Sequence, residues 1–129
     1  MPLVRIDVLE GRSEAELVAL ADAVDAAVAE HFAAPPGDRY QIVSEHRPGR
    51  LFIEDTGLGI ERSDDVVVIQ ITQQGRTTAQ KQALYAGLAT VLADRVGLRG
   101  EDLVVSVVDN THADWSFGHG RAQFLEGDL

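Results

Sequence analysis

Pro2 is the residue of this chain whose type most directly offers chemistry. It follows Met1, and removal of Met1 would make Pro2 a chain terminus with a secondary amine. Such an amine can act as a general acid, a general base or a nucleophile that forms an iminium ion. A proline at this position also suits the first residue of an edge strand, which would make its role structural. The residue type alone leaves both roles open.

Arg76 and Asp38 are further candidates, each with a structural alternative. Arg76 precedes a predicted helix, where its guanidinium and the free N–H groups of the first turn would together favour an anion. An arginine that only extends into solvent is equally compatible with this position. Asp38 stands between Pro35-Pro36-Gly37 and a strand, where turn formation explains an aspartate as well as catalysis does.

The bulk composition limits the class of function. The chain has 129 residues, of which 45% are hydrophobic, and this suits one compact domain over residues 2–129. A formal net charge of −10 disfavours a nucleic-acid or anionic-membrane partner, because phosphate binding needs a basic surface. The chain has no cysteine, and its four histidines show no metal-ligand spacing, so we expect neither metal nor cofactor. Without a signal-peptide pattern or a long apolar run, we expect a cytoplasmic protein.

The elements that must position these residues form an internal repeat. Gly11-Arg12-Ser13-Glu14-Ala15-Glu16 matches Gly75-Arg76-Thr77-Thr78-Ala79-Gln80 in order and chemistry, and each stretch joins a strand to a helix with a capping box. Strands are predicted over 3–9, 66–72 and 103–108, a turn that leads into a strand over 38–46, helices over 13–32 and 77–97, and a short extended piece over 51–53.

This repeat predicts an α/β fold of two tandem βαβ units. Right-handed crossovers place both helices on one face of a four-stranded mixed sheet. The apolar run over residues 66–71 predicts a central strand covered on both faces. The opposite face of the sheet should expose Val and Ile, which favours a homo-oligomer whose sheets are buried against each other.

Several longer motifs extend the pattern. They are DRYQ (38–41), SEHRPG (44–49), EDTGLG (54–59) and ADWSFGHGRA (113–122), followed by FL (124–125) and GDL (127–129). With Pro2 at the start of the first strand of a doubled βαβ chain, these motifs resemble the malonate semialdehyde decarboxylase family of the tautomerase superfamily. The similarity covers the whole chain and implies a homotrimer.

The resemblance also implies a role for each matching residue. Pro2 matches the catalytic proline, Asp38 the acid that positions or activates water, and Arg76 one of two carboxylate-binding arginines. Gln74 stands where the second arginine of the family would fall, which weakens the anion clamp. The apolar wall beside the active site is matched by Trp115, Phe117, Phe124 and Leu129, although packing in the core or at a subunit interface would equally explain the aromatic residues.

Three hypotheses of function follow. The leading one is a cofactor-independent decarboxylase of malonate semialdehyde or a related short 3-oxo acid, which releases an aldehyde and CO2. The second keeps the site and changes the reaction to hydration or keto–enol tautomerisation of small unsaturated or 2-oxo acids, because Gln74 replaces an arginine. The third is a non-catalytic trimer that binds a small carboxylate or a partner protein, with Pro2 in a structural role.

Overall fold

The fold is a four-stranded mixed sheet with two long helices. The structure, a computed structural model, describes residues 2–129; Met1, whose removal the first hypothesis requires, lies outside the described residues. Its elements are β1 (Leu3–Leu9), α1 (Glu14–His31), β2 (Tyr40–His46), β3 (Val67–Gln74), α2 (Thr78–Val96), β4 (Leu103–Asn110) and α3 (Gln123–Glu126), with 3-10 turns at Gly100–Asp102 and His112–Asp114.

The sheet topology confirms the tandem βαβ prediction. The strand order is β2-β1-β3-β4, with β1 parallel to β2, β3 parallel to β4, and β1 antiparallel to β3. Several assignments differ from those predicted: β3 spans Val67–Gln74 rather than 66–72, β4 continues to Asn110, and residues 51–53 lie outside any strand.

Local sequence signals explain where the helices begin and end. Both predicted capping boxes are present, since Ser13 and Glu16 exchange side-chain and backbone hydrogen bonds, as do Thr77 and Gln80. Each box satisfies two backbone N–H groups that the first helical turn would leave unpaired. Gly97 ends α2 in the left-handed conformation (φ 66°), which only glycine adopts without steric cost.

The core lies between the helices and one face of the sheet, called here the helix side. Apolar side chains at every second position of β1 and β3 pack against α1 and α2; they are Val4, Ile6, Val8, Val67, Ile69 and Ile71, with Leu20, Val24, Val28, Leu84, Leu88 and Leu92 from the helices. Within one chain β3 is fully buried on the helix side, whereas its side chains on the opposite face are half-buried or exposed.

That second face of the sheet, called here the outer face, carries both apolar and polar side chains. The cross-strand register assigns to it Leu3, Arg5, Asp7, Tyr40, Ile42, Ser44, Val68, Gln70, Thr72, Val104, Ser106 and Val108. The prediction of exposed apolar residues holds for Ile42 and Val108, while Arg5, Gln70 and Ser106 make the face more polar than a Val and Ile surface. Among the helices of residues 2–129, none combines the length and the hydropathy that a membrane-spanning helix requires.

Candidate active site

One end of the sheet brings together the backbone positions of most predicted site residues. β1 and β2 begin side by side, with Leu3 opposite Tyr40, and β3 finishes beside them, with Thr72 opposite Leu3. β4 finishes there as well, since Gln74 pairs with Asn110. This end, called here the site end, therefore carries Pro2, the Asp38 turn, the Gln73–Arg76 segment and the start of the aromatic tail.

Pro2 and Asp38 both lie in buried surroundings at the site end. Pro2 immediately precedes β1, and the two-residue period places it on the helix side with Val4. Asp38 is 8% exposed and its backbone N–H donates to the Pro35 carbonyl at 3.2 Å. The turn that the sequence predicted is thus present, and Asp38 is also a buried acid, so its turn-forming role does not remove it from the candidate site.

Arg76 is not a solvated surface arginine. Its Nε and Nη2 donate to the Phe32 carbonyl at 3.3 and 2.8 Å, and its Nη1 donates to the carbonyls of Gln74 (3.0 Å) and Gly75 (3.2 Å). The guanidinium carbon also lies 5.5 Å from the centroid of the Phe32 ring. Because Phe32 caps the C-terminus of α1, the cation lies where the carbonyl ends of that helix favour positive charge.

These contacts limit what Arg76 can offer to a ligand. A guanidinium has five N–H donors, and four are directed at backbone carbonyls here. One Nη2 N–H remains for a carboxylate. A two-point clamp would require the side chain to turn away from the Phe32 carbonyl.

Two adjacent glutamines complete the end of β3. Gln74, which occupies the position of the second family arginine, has a buried Oε1 with no hydrogen-bond partner within residues 2–129. Gln73 was not among the predicted site residues, yet it is 0% exposed and lies on the helix side. The signal in the sequence is its spacing: it continues the buried series Val67, Ile69 and Ile71 with a polar residue.

The tail forms an aromatic cluster. Trp115 and Phe117 stack with ring centroids 5.4 Å apart, and the Phe117 ring meets the edge of Phe124 at 5.5 Å. Sequence analysis missed two members: Tyr40 of β2, 5.8 Å from Phe117, and His112, which stacks on Phe124 at 4.3 Å. The structure thus joins three of the four predicted wall residues.

The tail crosses from one edge of the sheet to the other. It leaves β4 at Asn110, whose Oδ1 accepts a 3.0 Å hydrogen bond from Trp115 Nε1, and reaches Tyr40 on β2, the opposite edge strand. Leu129 follows α3 at the end of the chain and is 61% exposed. It is the one predicted wall residue that projects largely into solvent in the single chain.

Polar contacts fix the shape of the tail. The Asp114 carboxylate accepts from the backbone N–H (2.7 Å) and the hydroxyl (2.9 Å) of Thr111, and these two donors hold the pKa of Asp114 below its usual value. Gln123 accepts from the Phe117 N–H and donates to the Gly118 carbonyl, both at 2.9 Å. The backbone on both sides of the aromatic pair is therefore held.

The internal repeat supplies a second copy of the acid and the arginine. Arg12, the counterpart of Arg76, donates to the Asp65 carbonyl at 2.7 Å. Asp102, the counterpart of Asp38, is buried and accepts from the Ser63 N–H and hydroxyl at 2.6 and 2.7 Å. Burial alone would raise the pKa of Asp102, but these donors and the nearby Arg99 outweigh it and lower that pKa.

Within residues 2–129 no group of three or more histidine, aspartate or glutamate side chains is placed to hold a metal ion. What the site end can provide chemically is one buried acid, one arginine, two carboxamides and an apolar aromatic surface, next to the position of Pro2.

Comparison with known proteins gives consistent relatives. Two models of tautomerase enzymes match the chain, over residues 2–61 and 38–118. Probable tautomerase YrdN of Bacillus subtilis (strain 168) is 47% identical over 129 residues, which is the full length of both proteins. Probable tautomerase YusQ of the same strain is 36% identical over 127 residues, or 98% of this chain and 100% of YusQ.

Solved structures extend the comparison to the fold. Malonate semialdehyde decarboxylase, solved in wild-type, mutant and inactivated forms, aligns with a TM-score of 0.96 and 44% identity over 98% of each chain. FG41 malonate semialdehyde decarboxylase inhibited by 3-bromopropiolate aligns with a TM-score of 0.94 and 42% identity, over 98% of this chain and 97% of that chain. Sequence and fold therefore agree over nearly the whole length, and the chain belongs to the tautomerase family.

Proposed function

We propose that this protein is a cofactor-independent decarboxylase of malonate semialdehyde or a related short 3-oxo acid. The observation that carries the proposal is the meeting of Pro2, Asp38, Arg76 and the aromatic tail at one end of the sheet. The 44% identity to malonate semialdehyde decarboxylase over 98% of the chain supports the same reaction. The proposed catalytic residues are Pro2, Asp38 and Arg76, and the substrate also contacts Gln74 and the wall of Trp115, Phe117, Phe124 and Leu129.

Pro2 provides the electron sink once Met1 is removed. As a protonated imino group it donates a hydrogen bond to the aldehyde oxygen; as a neutral amine it condenses with the aldehyde to an iminium ion, with loss of water. In either form the bond between C2 and the carboxylate breaks, CO2 leaves, and the electron pair moves to the enol or the enamine. Protonation at C2, followed in the second case by hydrolysis, gives the aldehyde. Asp38 holds the water or tunes Pro2.

Arg76 and the aromatic wall act on the carboxylate. The free Nη2 N–H of Arg76 gives one charge-assisted hydrogen bond, which suits a substrate with a single carboxylate. Gln74 adds a neutral amide instead of a second positive charge. Since CO2 is neutral and the carboxylate is charged, an apolar wall destabilises the reactant relative to the product and lowers the barrier.

The decisive experiment compares Pro2→Ala with the wild type on malonate semialdehyde. Both samples should lack Met1, as verified by intact mass spectrometry, and CO2 release should be followed. We expect Pro2→Ala to lose at least about 100-fold in kcat/KM, in line with loss of a general acid or nucleophile. Pro48→Ala, in an exposed loop, is the matched control and should keep wild-type activity. Equal rates for Pro2→Ala and wild type would refute the proposal.

A second candidate function keeps the same residues and changes the reaction. Gln74 in place of an arginine weakens the hold on the carboxylate, and the relative with 47% identity is named a probable tautomerase. Hydration of an acetylenic 2-oxo acid and tautomerisation of phenylpyruvate are therefore the reactions to assay beside decarboxylation. A kcat/KM on either compound well above that on malonate semialdehyde would favour this candidate.

A further inference from the structure

Gln73 is a buried polar group that the proposed mechanism does not use. Its side chain is 0% exposed, and within residues 2–129 neither its Nε2 nor its Oε1 has a hydrogen-bond partner. Buried polar atoms are nearly always hydrogen-bonded in folded proteins. A carboxamide with two unpaired buried atoms is therefore typical of a functional position rather than of a packed core.

The strand register, continued one residue beyond its last pair, sets Gln73 opposite Pro2. β1 and β3 are antiparallel, with Val4 opposite Ile71 and Leu3 opposite Thr72, so that one further step pairs Pro2 with Gln73. Both residues lie on the helix side of the sheet by the two-residue period. Directly opposed residues of antiparallel strands have Cβ atoms about 5 Å apart, which is within the reach of a glutamine side chain.

We propose that Gln73 is a positioning residue for Pro2. In the chain that begins at Pro2, its Oε1 accepts a hydrogen bond from the imino N–H, and its Nε2 is left for an oxygen of the bound acid. The inference rests on the proposed role of Pro2 as a free terminus. An acceptor on the charged imino group stabilises that form, so Gln73 raises the pKa of Pro2 and fixes the direction of its N–H.

A neutral hydrogen-bond acceptor can stabilise the protonated form of Pro2 without adding a charge to the site. Asp38 favours the protonated imino group and Arg76 disfavours it. Two ion pairs at this end place opposite charges together, and each pair largely cancels: Asp109 with Lys81 at 2.9 Å, and Arg39 with Asp22 at 2.8 Å. Gln73 therefore raises the pKa of Pro2 without adding a second carboxylate beside Asp38.

The test is to titrate Pro2 by NMR in protein labelled with ¹⁵N-proline and confirmed by mass to start at Pro2. Gln73→Met keeps the length of the side chain and removes both polar atoms. We expect it to lower the pKa of Pro2 by roughly one unit, whereas Gln73→Glu should raise it by at least as much. Gln82→Met, on the exposed surface of α2, is the matched control and should leave the titration unchanged.

A purely structural role for Gln73 predicts a different result. Gln73→Met would then change the urea midpoint while Pro2 titrates as in the wild type, and that outcome would overturn the proposal. If Gln73→Met does not fold, an unshifted Pro2 in Gln73→Glu would overturn it equally. The titration needs no substrate, so failure of the decarboxylase assay and failure of this inference are separate results.

Discussion

Arg76 has a structural role that the sequence did not indicate, in addition to its proposed role in binding the substrate. Its position at the start of α2 pointed to an anion site, but the structure also gives it the Phe32 carbonyl, 44 residues away, together with those of Gln74 and Gly75. The side chain thereby links the end of α1 to the end of β3. Substrate binding and fold stability should therefore both depend on this one guanidinium.

Replacement of Arg76 by methionine should lower both the stability of the fold and the rate of decarboxylation. We expect Arg76→Met to lose about 1–3 kcal/mol of unfolding free energy, because buried carbonyls lose their donors. In the decarboxylase assay, kcat/KM should fall roughly 10- to 100-fold, as expected for loss of one charge-assisted hydrogen bond. Urea denaturation and steady-state kinetics measure the two effects.

The internal repeat offers a matched control for that variant. Arg12→Met removes the counterpart arginine, which makes one hydrogen bond to the Asp65 carbonyl at the opposite end of the sheet. It should cost about 1 kcal/mol or less and leave kcat/KM unchanged. Equal losses of activity in the two variants would show that Arg76 acts on the fold alone.

The residues that sequence reasoning identified are those with a local signal. Pro2 and the capping residues Ser13 and Thr77 could be read from their immediate neighbours. Gln73 could be identified only from the strand register, because the pairing of β1 with β3, continued by one residue, sets it opposite Pro2. Tyr40 belongs to the aromatic cluster because the tail, which leaves β4 at one edge of the sheet, brings Phe117 to β2 at the other edge. No local sequence pattern encodes that contact.

At the scale of elements, α1 and α2 approach closely at one glycine. A Cβ added to Gly87 would collide with the imidazole of His31. In a helix interior without such a collision, alanine stabilises the helix by about 1 kcal/mol relative to glycine. Gly87→Ala should therefore gain little or lose stability in the wild type, but gain about 1 kcal/mol in a His31→Ala background. Urea denaturation of the four proteins gives the coupling, and equal gains in both backgrounds would contradict it.

The tail is the element whose shape should depend on pH. The pKa of Asp114 is lower in the folded chain than its unfolded value of about 4, because Thr111 donates to the carboxylate. The contacts therefore stabilise the tail fully when the pH is above the unfolded pKa, and the stabilisation is lost as the pH falls through the folded pKa. Emission of Trp115, the single tryptophan, should shift to the red over this range before far-UV circular dichroism changes.

A variant separates this local step from general acid unfolding. Asp114→Ala removes the acceptor, so its Trp115 emission should already be shifted at pH 7 and show no separate acid step. Asp64→Ala, at an exposed aspartate in the loop before β3, should behave as the wild type does. A wild-type acid profile for Asp114→Ala would show that another group holds the tail.

At the scale of the whole molecule, the repeat made the topology predictable and left the assembly open. Two capped βαβ units determine the parallel pairing within each unit and place both helices on one side of the sheet. The antiparallel pairing of β1 with β3, which joins the units, comes from the structure. The outer face retains apolar residues such as Ile42, which is 44% exposed, next to polar ones. In one chain this is the face that the core cannot bury, and we propose that it packs against two further copies in a homotrimer.

A single charge on the outer face should therefore break the assembly. Wild-type protein should sediment at three times the 13.9 kDa chain mass. Ile42→Lys should sediment near one chain mass, because burying an unpaired ammonium group in the interface is costly. Val18→Lys, at a 60% exposed valine on α1, is the control and should keep the wild-type mass. Circular dichroism must show both variants folded; a single-chain mass for the wild type, or an intact trimer of Ile42→Lys, would exclude this face as the subunit interface.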